Sequence, residues 1–228
     1  MCAGDAAELE IPLTGGRVTP GVVRAGDTVR RPPAANAVLV RRLLGHLARR
    51  GFEGCPAWLG TDARGREVFR FIVGTVPADL GFHSDDALAA AARLIRRFHD
   101  LGAEISADGV VCHNDLSPCN FVFRDGLPVA IIDFDAAAPG PRMRDLGYAT
   151  WLWLDIGGDM PAEEQGRRLA VFTDAYGGIA PGYVVTAMME RQAELASGEG
   201  KNGQGPLAEW SAACLAWTMA NRARLLGR

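Results

Sequence analysis

The chain has 228 residues, 48% of them apolar and 22% charged, and carries a net charge of −3. That length allows one large domain or two small lobes, and the negative balance argues against a general nucleic-acid binder. Its five cysteines, at 2, 55, 112, 119 and 214, include no C-x-x-C pair, which argues against a zinc site or a disulfide framework. The N-terminus lacks a basic region followed by an apolar core, and no apolar run reaches membrane-spanning length. A cytoplasmic protein without membrane contact is therefore expected.

In chain order, residues 11–31 alternate short apolar pieces with glycine turns. Antiparallel strands are expected near Leu13, at Gly21–Arg24 and at Thr28–Arg31, with Gly26-Asp27 as a hairpin turn. Residues 36–50 repeat apolar side chains with a helical period, placing Val40, Leu43, Leu44 and Leu47 on one buried stripe. Val68–Val73 reads as a strand and Gly74–Pro77 as a break. Ser84–Glu104 reads as a helix, with Ser84 as N-cap and Asp85 and Asp86 favouring its positive end. Leu88, Ala91, Ile95, Phe98 and Leu101 share its inner face, and His99 is expected to pack or cap.

The stretch Val110 to Asp135 organises the rest. Two apolar runs, Phe121–Phe123 and Val129–Ile132, flank the turn signal Arg124-Asp125-Gly126, a β-hairpin pattern. A hairpin returns its two ends to the same place, so His113, Asp115, Asn120 and Asp133 should converge. Asn120 and Asp133 offer the one or two oxygen ligands that Mg²⁺ takes from protein beside nucleotide phosphates. Asp115 is then left to orient an attacking hydroxyl and accept its proton. Downstream, Pro139-Gly140-Pro141 reads as a rigid turn. A helix follows from about Asp145 through Trp151 and Trp153 to Asp155, the two tryptophans reading mainly as core. Further helices are expected at Ala162–Tyr176, Gly182–Ala196 and Leu207–Leu226, the last with a buried face at Trp210, Cys214 and Trp217. The glycine-rich S-G-E-G-K-N-G-Q-G between the last two reads as a mobile surface loop.

Asp115-x4-Asn120 has the spacing of a protein-kinase catalytic loop, and Asp133-Phe134-Asp135 stands where D-F-G would. The ordered set H-N-D-L-S-P-C-N, I-I-D-F-D and P-G-P-R-M-R-D-L-G-Y resembles the aminoglycoside phosphotransferase and choline kinase-like superfamily. The resemblance implies an α+β, bilobal, protein-kinase-like fold. Residues 1–74 would form a small β-rich nucleotide-binding lobe with one helix. Residues 75–228 would form a larger, mainly helical catalytic and acceptor-binding lobe carrying the hairpin. It implies a kinase moving the γ-phosphoryl of ATP or GTP to a hydroxyl of an aminoglycoside-like or amino-alcohol acceptor, with Mg²⁺ as cofactor. The roles implied are Asp115 as base, Asn120 and Asp133 on the metal, and His113 and Asp145 bracing the loop.

By the same resemblance, Phe71–Val73 is the hinge whose backbone meets an adenine edge, with Phe71 and Val73 as its candidates. Gly15 and Gly16, in Thr14-Gly15-Gly16, make either a phosphate-covering turn or a plain hairpin turn. The third strand should carry a cation to the phosphates, normally lysine, but the single lysine, Lys201, lies far away. Arg30 is the candidate and Arg31 the second; strand neighbours face opposite ways, so only one can serve. The other reading is a solvated pair of arginines. No acid lies between Ala34 and Arg50 to hold such a cation, which opens an alternative: a non-catalytic, pseudokinase-like nucleotide- or ligand-binding relative. The net charges of +4 over residues 1–74 and −7 over 75–228 fit a nucleotide-facing first part and a second part that attracts cations.

Overall fold

The computed structural model describes residues 9–13, 20–198 and 205–227. Gly15 and Gly16, and most of the glycine-rich stretch at 197–205, lie outside the described residues. The first part of the chain builds an antiparallel sheet from β1 (Glu10–Pro12), β2 (Val23–Ala25), β3 (Thr28–Arg31), β4 (Trp58–Thr61) and β5 (Glu67–Arg70). Their spatial order is β1-β2-β3-β5-β4. Helix α1 (Ala37–Arg49) crosses between β3 and β4 and buries the expected stripe, Val40, Leu43, Leu44 and Leu47. β4 has no counterpart in the sequence reading. β5 begins one residue earlier than expected and ends three earlier: Phe71 leaves the ladder and donates its N–H to the Asp27 carbonyl at 2.7 Å.

Helix α2 (Asp85–Ala103) starts where its cap predicts, the Ser84 hydroxyl accepting the Ala87 N–H at 3.2 Å. Its inner face, Leu88, Ala91, Ile95 and Phe98, is fully buried. It packs on β6 (Val110–Cys112), on the hairpin of β7 (Phe121–Arg124) and β8 (Leu127–Ile131), and on the later α4 (Ala162–Tyr176). The hairpin turn has Asp125 and Gly126 both at positive φ, as a two-residue turn of the type matching strand twist requires. Thr75 and Phe123 exchange backbone hydrogen bonds, at 3.0 and 2.7 Å, and so tie the segment after the sheet to this hairpin.

One expectation is corrected. Pro139-Gly140-Pro141 is not simply a turn: β9 (Ala138–Gly140) pairs antiparallel with β6, Pro139 opposite Val111. Proline is tolerated there because each strand of this two-stranded ladder is an edge. The remaining helices are α3 (Arg142–Trp153), α5 (Pro181–Ala196) and α6 (Pro206–Leu225), with α4 between the first two. Trp151 and Trp153 are buried, and the Trp153 indole donates to the Leu116 carbonyl at 3.1 Å. Core packing thus also anchors the loop after Cys112. Of the predicted face on α6, Cys214 is buried while Trp210 is 38% exposed and stacks on Trp151. Among the described residues no helix is long and apolar enough to cross a membrane. A β-sheet region followed by a mainly helical region is the α+β, kinase-like arrangement.

Candidate active site

The loop between β6 and β7 is built around one buried carboxylate. Asp145, in the first turn of α3, accepts the backbone N–H groups of His113 and Asn114, both at 2.7 Å. The His99 ring also meets it, at 3.0 Å, and His99 meets the Tyr176 hydroxyl on its other nitrogen at 2.8 Å. Burial pushes the Asp145 carboxyl up, but the His99 ring and the His113 N–H outweigh it and hold the group below the ordinary carboxylate range. His113 is buried and meets the Ile132 carbonyl through Nε2 at 3.0 Å, while Nδ1 accepts the Asp115 N–H at 3.3 Å. That pair of contacts requires the tautomer protonated on Nε2. His113 therefore spans from the loop to the end of β8, immediately before Asp133.

The mouth of the hairpin is closed by the Ile132 N–H on the Asn120 carbonyl, 2.9 Å. This brings Asp115, Asn120 and Asp133 to one end, as the hairpin pattern demands. The Asn120 amide nitrogen donates to both the Asp115 carbonyl and Asp115 Oδ2, each at 2.8 Å. With its nitrogen so held, the Asn120 side chain turns its amide oxygen, Oδ1, to offer a cation. Asp115 Oδ1 accepts the Tyr148 hydroxyl at 3.1 Å. Asp133 has φ +64, a left-handed backbone that non-glycine residues seldom adopt and that clusters at working sites.

Arg31, not Arg30, reaches this mouth. Its guanidinium contacts Asp133 at 3.1 Å and also bonds Asp135. Arg30, on the opposite face of β3, lies 3.7 Å from Glu10. The alternation of strand side chains made these two exclusive, and the register of β3 selects the second. A carboxylate does meet α1, but from β5. Glu67 is buried, sits opposite Arg31 across the ladder, and takes Arg41 of α1 at 2.7 Å. The acid-on-helix, cation-on-strand pair expected of a kinase is here reversed between α1 and β5. Glu67 was missed because it lay just outside the expected strand, although Glu67 and Phe69 alternate as inward residues. Arg41→Ala strands a buried carboxylate and is expected to cost about 1–3 kcal/mol, measured by denaturant unfolding. Glu67→Gln in the same chain should restore part of it.

A cleft of about 440 Å³ lies between the sheet and the hairpin, lined by Arg31, Glu67, Phe69, Phe71, Asn120 and Asp133 among others. Phe71 faces it and carries the Arg24 guanidinium 3.9 Å from its ring centre. Val73 does not line it. That residue is 68% exposed and its carbonyl accepts Arg124 at 2.8 Å. Phe71, Ile72 and Gly74 around it do line the cleft. A wider groove of about 740 Å³ runs along α4, α5 and the end of α6, with none of these residues in its walls.

The donor set fits a hard cation. It comprises carboxylate and amide oxygens, and the Arg31 guanidinium already stands against Asp133 and Asp135 as a positive charge. Among the described residues no group of three or more His, Cys, Asp or Glu could hold a metal. A metal shared with nucleotide phosphates needs only one or two protein ligands.

Residues 62–181 match the model of the phosphotransferase enzyme family. A trifolitoxin immunity protein from Rhizobium leguminosarum bv. trifolii is 33% identical, the match covering 74% of each protein. The fold is similar to an aminoglycoside phosphotransferase from Alicyclobacillus acidocaldarius (TM-score 0.59, 13% identity, 98% of this chain and 97% of that one). It is also similar to an aminoglycoside phosphotransferase from Streptomyces rimosus solved with ADP and streptomycin (TM-score 0.55, 16% identity, 92% of each). The matched span runs from the end of β4 to the start of α5 and contains the loop, the hairpin and Asp145, so the chain belongs to the phosphotransferase enzyme family.

Proposed function

We propose that this protein is a small-molecule kinase that transfers the γ-phosphoryl of ATP or GTP to a hydroxyl of an aminoglycoside-like or amino-alcohol acceptor. The observation that carries this reading is the convergence of Asp115, Asn120 and Asp133 at the closed mouth of one hairpin, beside a cleft lined by Arg31, Phe69 and Phe71. Residues 1–74 act as the nucleotide lobe and 75–228 as the catalytic and acceptor lobe. The acidic balance of the second part favours a cationic acceptor.

Asp115 orients the acceptor hydroxyl and takes its proton as the acceptor oxygen bonds to the γ-phosphorus. The bond from that phosphorus to the bridging oxygen breaks, and ADP or GDP leaves with the electron pair. Asn120 and Asp133 would hold Mg²⁺, which would supply charge neutralisation on the nucleotide phosphates. Arg31 moves from the carboxylates to the phosphates when nucleotide enters, and the Phe71 ring packs on the base. His113 and Asp145 keep the loop in place. The gain comes from positioning and preorganised charge rather than from covalent chemistry by the protein.

Thermal melting with Mg²⁺·ATP and Mg²⁺·GTP tests the nucleotide half of this reading. A ligand at 100 times its Kd adds about 2.7 kcal/mol to the folded state. A rise that needs Mg²⁺ and disappears in Asp133→Ala is the expected result; no rise at millimolar nucleotide would sink the reading. Arg31→Met is expected to weaken Mg²⁺·ATP binding about 10-fold, the worth of one charged hydrogen bond. Arg30→Met should change it less than about twofold.

A second reading, a binding protein that does not turn over, is favoured by two observations. Arg replaces the strand lysine while its guanidinium lies on Asp133 and Asp135, and a relative is named for immunity, not for an enzyme. Under it the protein would confer immunity by holding a toxic ligand. Phosphate transfer to acceptor or water, present or absent at saturating Mg²⁺·ATP, separates the two.

A further inference from the structure

We infer that Tyr148 is the positioning residue for Asp115, and that α5 in turn holds Tyr148 through Arg191. The inference rests on the phosphotransfer reading above, whose base it concerns. An aspartate on a loop has two free side-chain torsions, and a base must present one oxygen in one direction to be useful. Here the carboxylate is gripped on both oxygens from two different elements. Asn120, in the turn before β7, holds Oδ2, and Tyr148, on α3, holds Oδ1. Each oxygen keeps a further lone pair, so the gripped carboxylate can still accept a proton.

Tyr148 is itself fixed by what surrounds it. Its ring stands edge-on to Trp151, at 86° with centres 6.1 Å apart. The Arg191 guanidinium lies over its face, 5.3 Å from the ring centre, a cation–π arrangement. Arg191 bonds Glu194 at 2.9 Å, and Glu194 also takes Arg144 at 2.8 Å. Arg144 then donates to the Asn114 side chain at 3.2 Å. The contacts thus leave Asp115 through Tyr148, pass through α5, and return to Asn114, the residue next to the base. Gly147 permits the approach: a Cβ there would stand 2.5 Å from the Ala187 carbonyl carbon, so α3 and α5 touch backbone to backbone one turn before Arg191. Burial, reinforced by the Asp115 charge, pushes the Tyr148 hydroxyl above the ordinary tyrosine range, which keeps it a donor at working pH.

The test uses Mg²⁺·ATP hydrolysis, with water standing in for the acceptor. Water attacks the γ-phosphorus, ADP leaves, and the water proton passes to Asp115. Tyr148→Phe is expected to lower kcat about 10-fold, with KM for ATP within about twofold. A purely structural role would raise KM for ATP along with the loss in kcat. Arg191→Met keeps the tyrosine and loosens it, so a smaller loss, about threefold, is expected from a variant whose core is untouched.

A measurement independent of turnover goes alongside. The chain has three tyrosines, so 3-fluorotyrosine labelling yields three ¹⁹F resonances, assigned with Tyr176→Phe and Tyr183→Phe. Asp115→Asn should shift the Tyr148 resonance, leaving the other two in place. A Tyr148 signal indifferent to Asp115→Asn would overturn the inference. Hydrolysis lost in Asp115→Asn but unchanged in Tyr148→Phe would overturn it alone. A wild type that binds Mg²⁺·ATP and never hydrolyses or transfers it would overturn the phosphotransfer reading and this role together.

Discussion

Asp115→Asn is expected to cut phosphoryl transfer about 10²–10⁴-fold, the range a positioned general base contributes. The melting temperature and the Mg²⁺-dependent nucleotide shift should stay as in the wild type. The substitution keeps the shape of the side chain, so Asn120 and Tyr148 retain a neighbour of similar size while the proton acceptor is lost. Asp133→Ala is expected to remove transfer as well, but by a different route: it removes the nucleotide shift itself. The two variants together therefore separate base from ligand. If Asp115→Asn turned over at the wild-type rate, Asp115 would not be the base, whatever its position. The measurement is a steady-state rate beside a melt on the same preparation.

The largest expected effect on stability is at Asp145. Asp145→Ala leaves two backbone N–H groups and the His99 ring without their shared acceptor, all of them buried or nearly so. Removing one partner of a buried charged set costs about 3–5 kcal/mol, a large part of the 5–15 kcal/mol that a domain has in total. Denaturant unfolding measures it, and a loss below about 1 kcal/mol would mean the loop is held by other contacts. The pH dependence has a fixed sign. The folded-state Asp145 carboxyl lies below its unfolded value of about 3.9. Its ionised form therefore stabilises the fold above about pH 4, and that contribution is lost as pH falls through the folded value. In Asp145→Asn, stability should be lower at neutral pH and should fall less steeply below about pH 4. The loss also reaches catalysis, because His113 and Asn114 hang from this carboxylate and Asp115 is the next residue.

Much of the active site was legible because its signals are local. Asp115, Asn120 and Asp133 lie within nineteen residues of one another, on two sides of a hairpin whose turn residues announce it. His113 and Asp145 were expected to brace the loop, and they lie where a brace would lie. Of the two candidate cations it is the second, Arg31, that meets Asp133, and in a strand one residue is a change of face. Arg30 and Arg31 are chemically the same; which of them looks into the cleft depends on the pairing of β3 with β2 and β5, and no local pattern states that. Val73 lies outside the cleft lining for a related reason. The apolar run continues past Arg70, but the backbone hydrogen bonds of the sheet do not, and Phe71 turns to Asp27 instead. The kinase resemblance predicts an acid on α1 and the helix has none; the carboxylate that meets α1 stands on β5. In the sequence Tyr148 is only the last letter of a motif; a tyrosine three residues after Asp145 carries no sign that it touches Asp115.

By itself, the sequence determined the periodic elements, the hairpin, the identity of the three oxygen-bearing residues at its mouth and the family that they imply. These rest on short-range rules: helical and strand periods, caps, turn residues and fixed spacing. The tertiary structure decided which arginine faces the carboxylates across 102 residues of chain, that Pro139 lies in a strand beside β6, that Glu67 and Arg41 form a helix–strand pair, and that the Tyr148 hydroxyl meets Asp115. Each of these depends on a register or a helix crossing. Those are set by how whole faces pack together, and not by any stretch of sequence short enough to read alone.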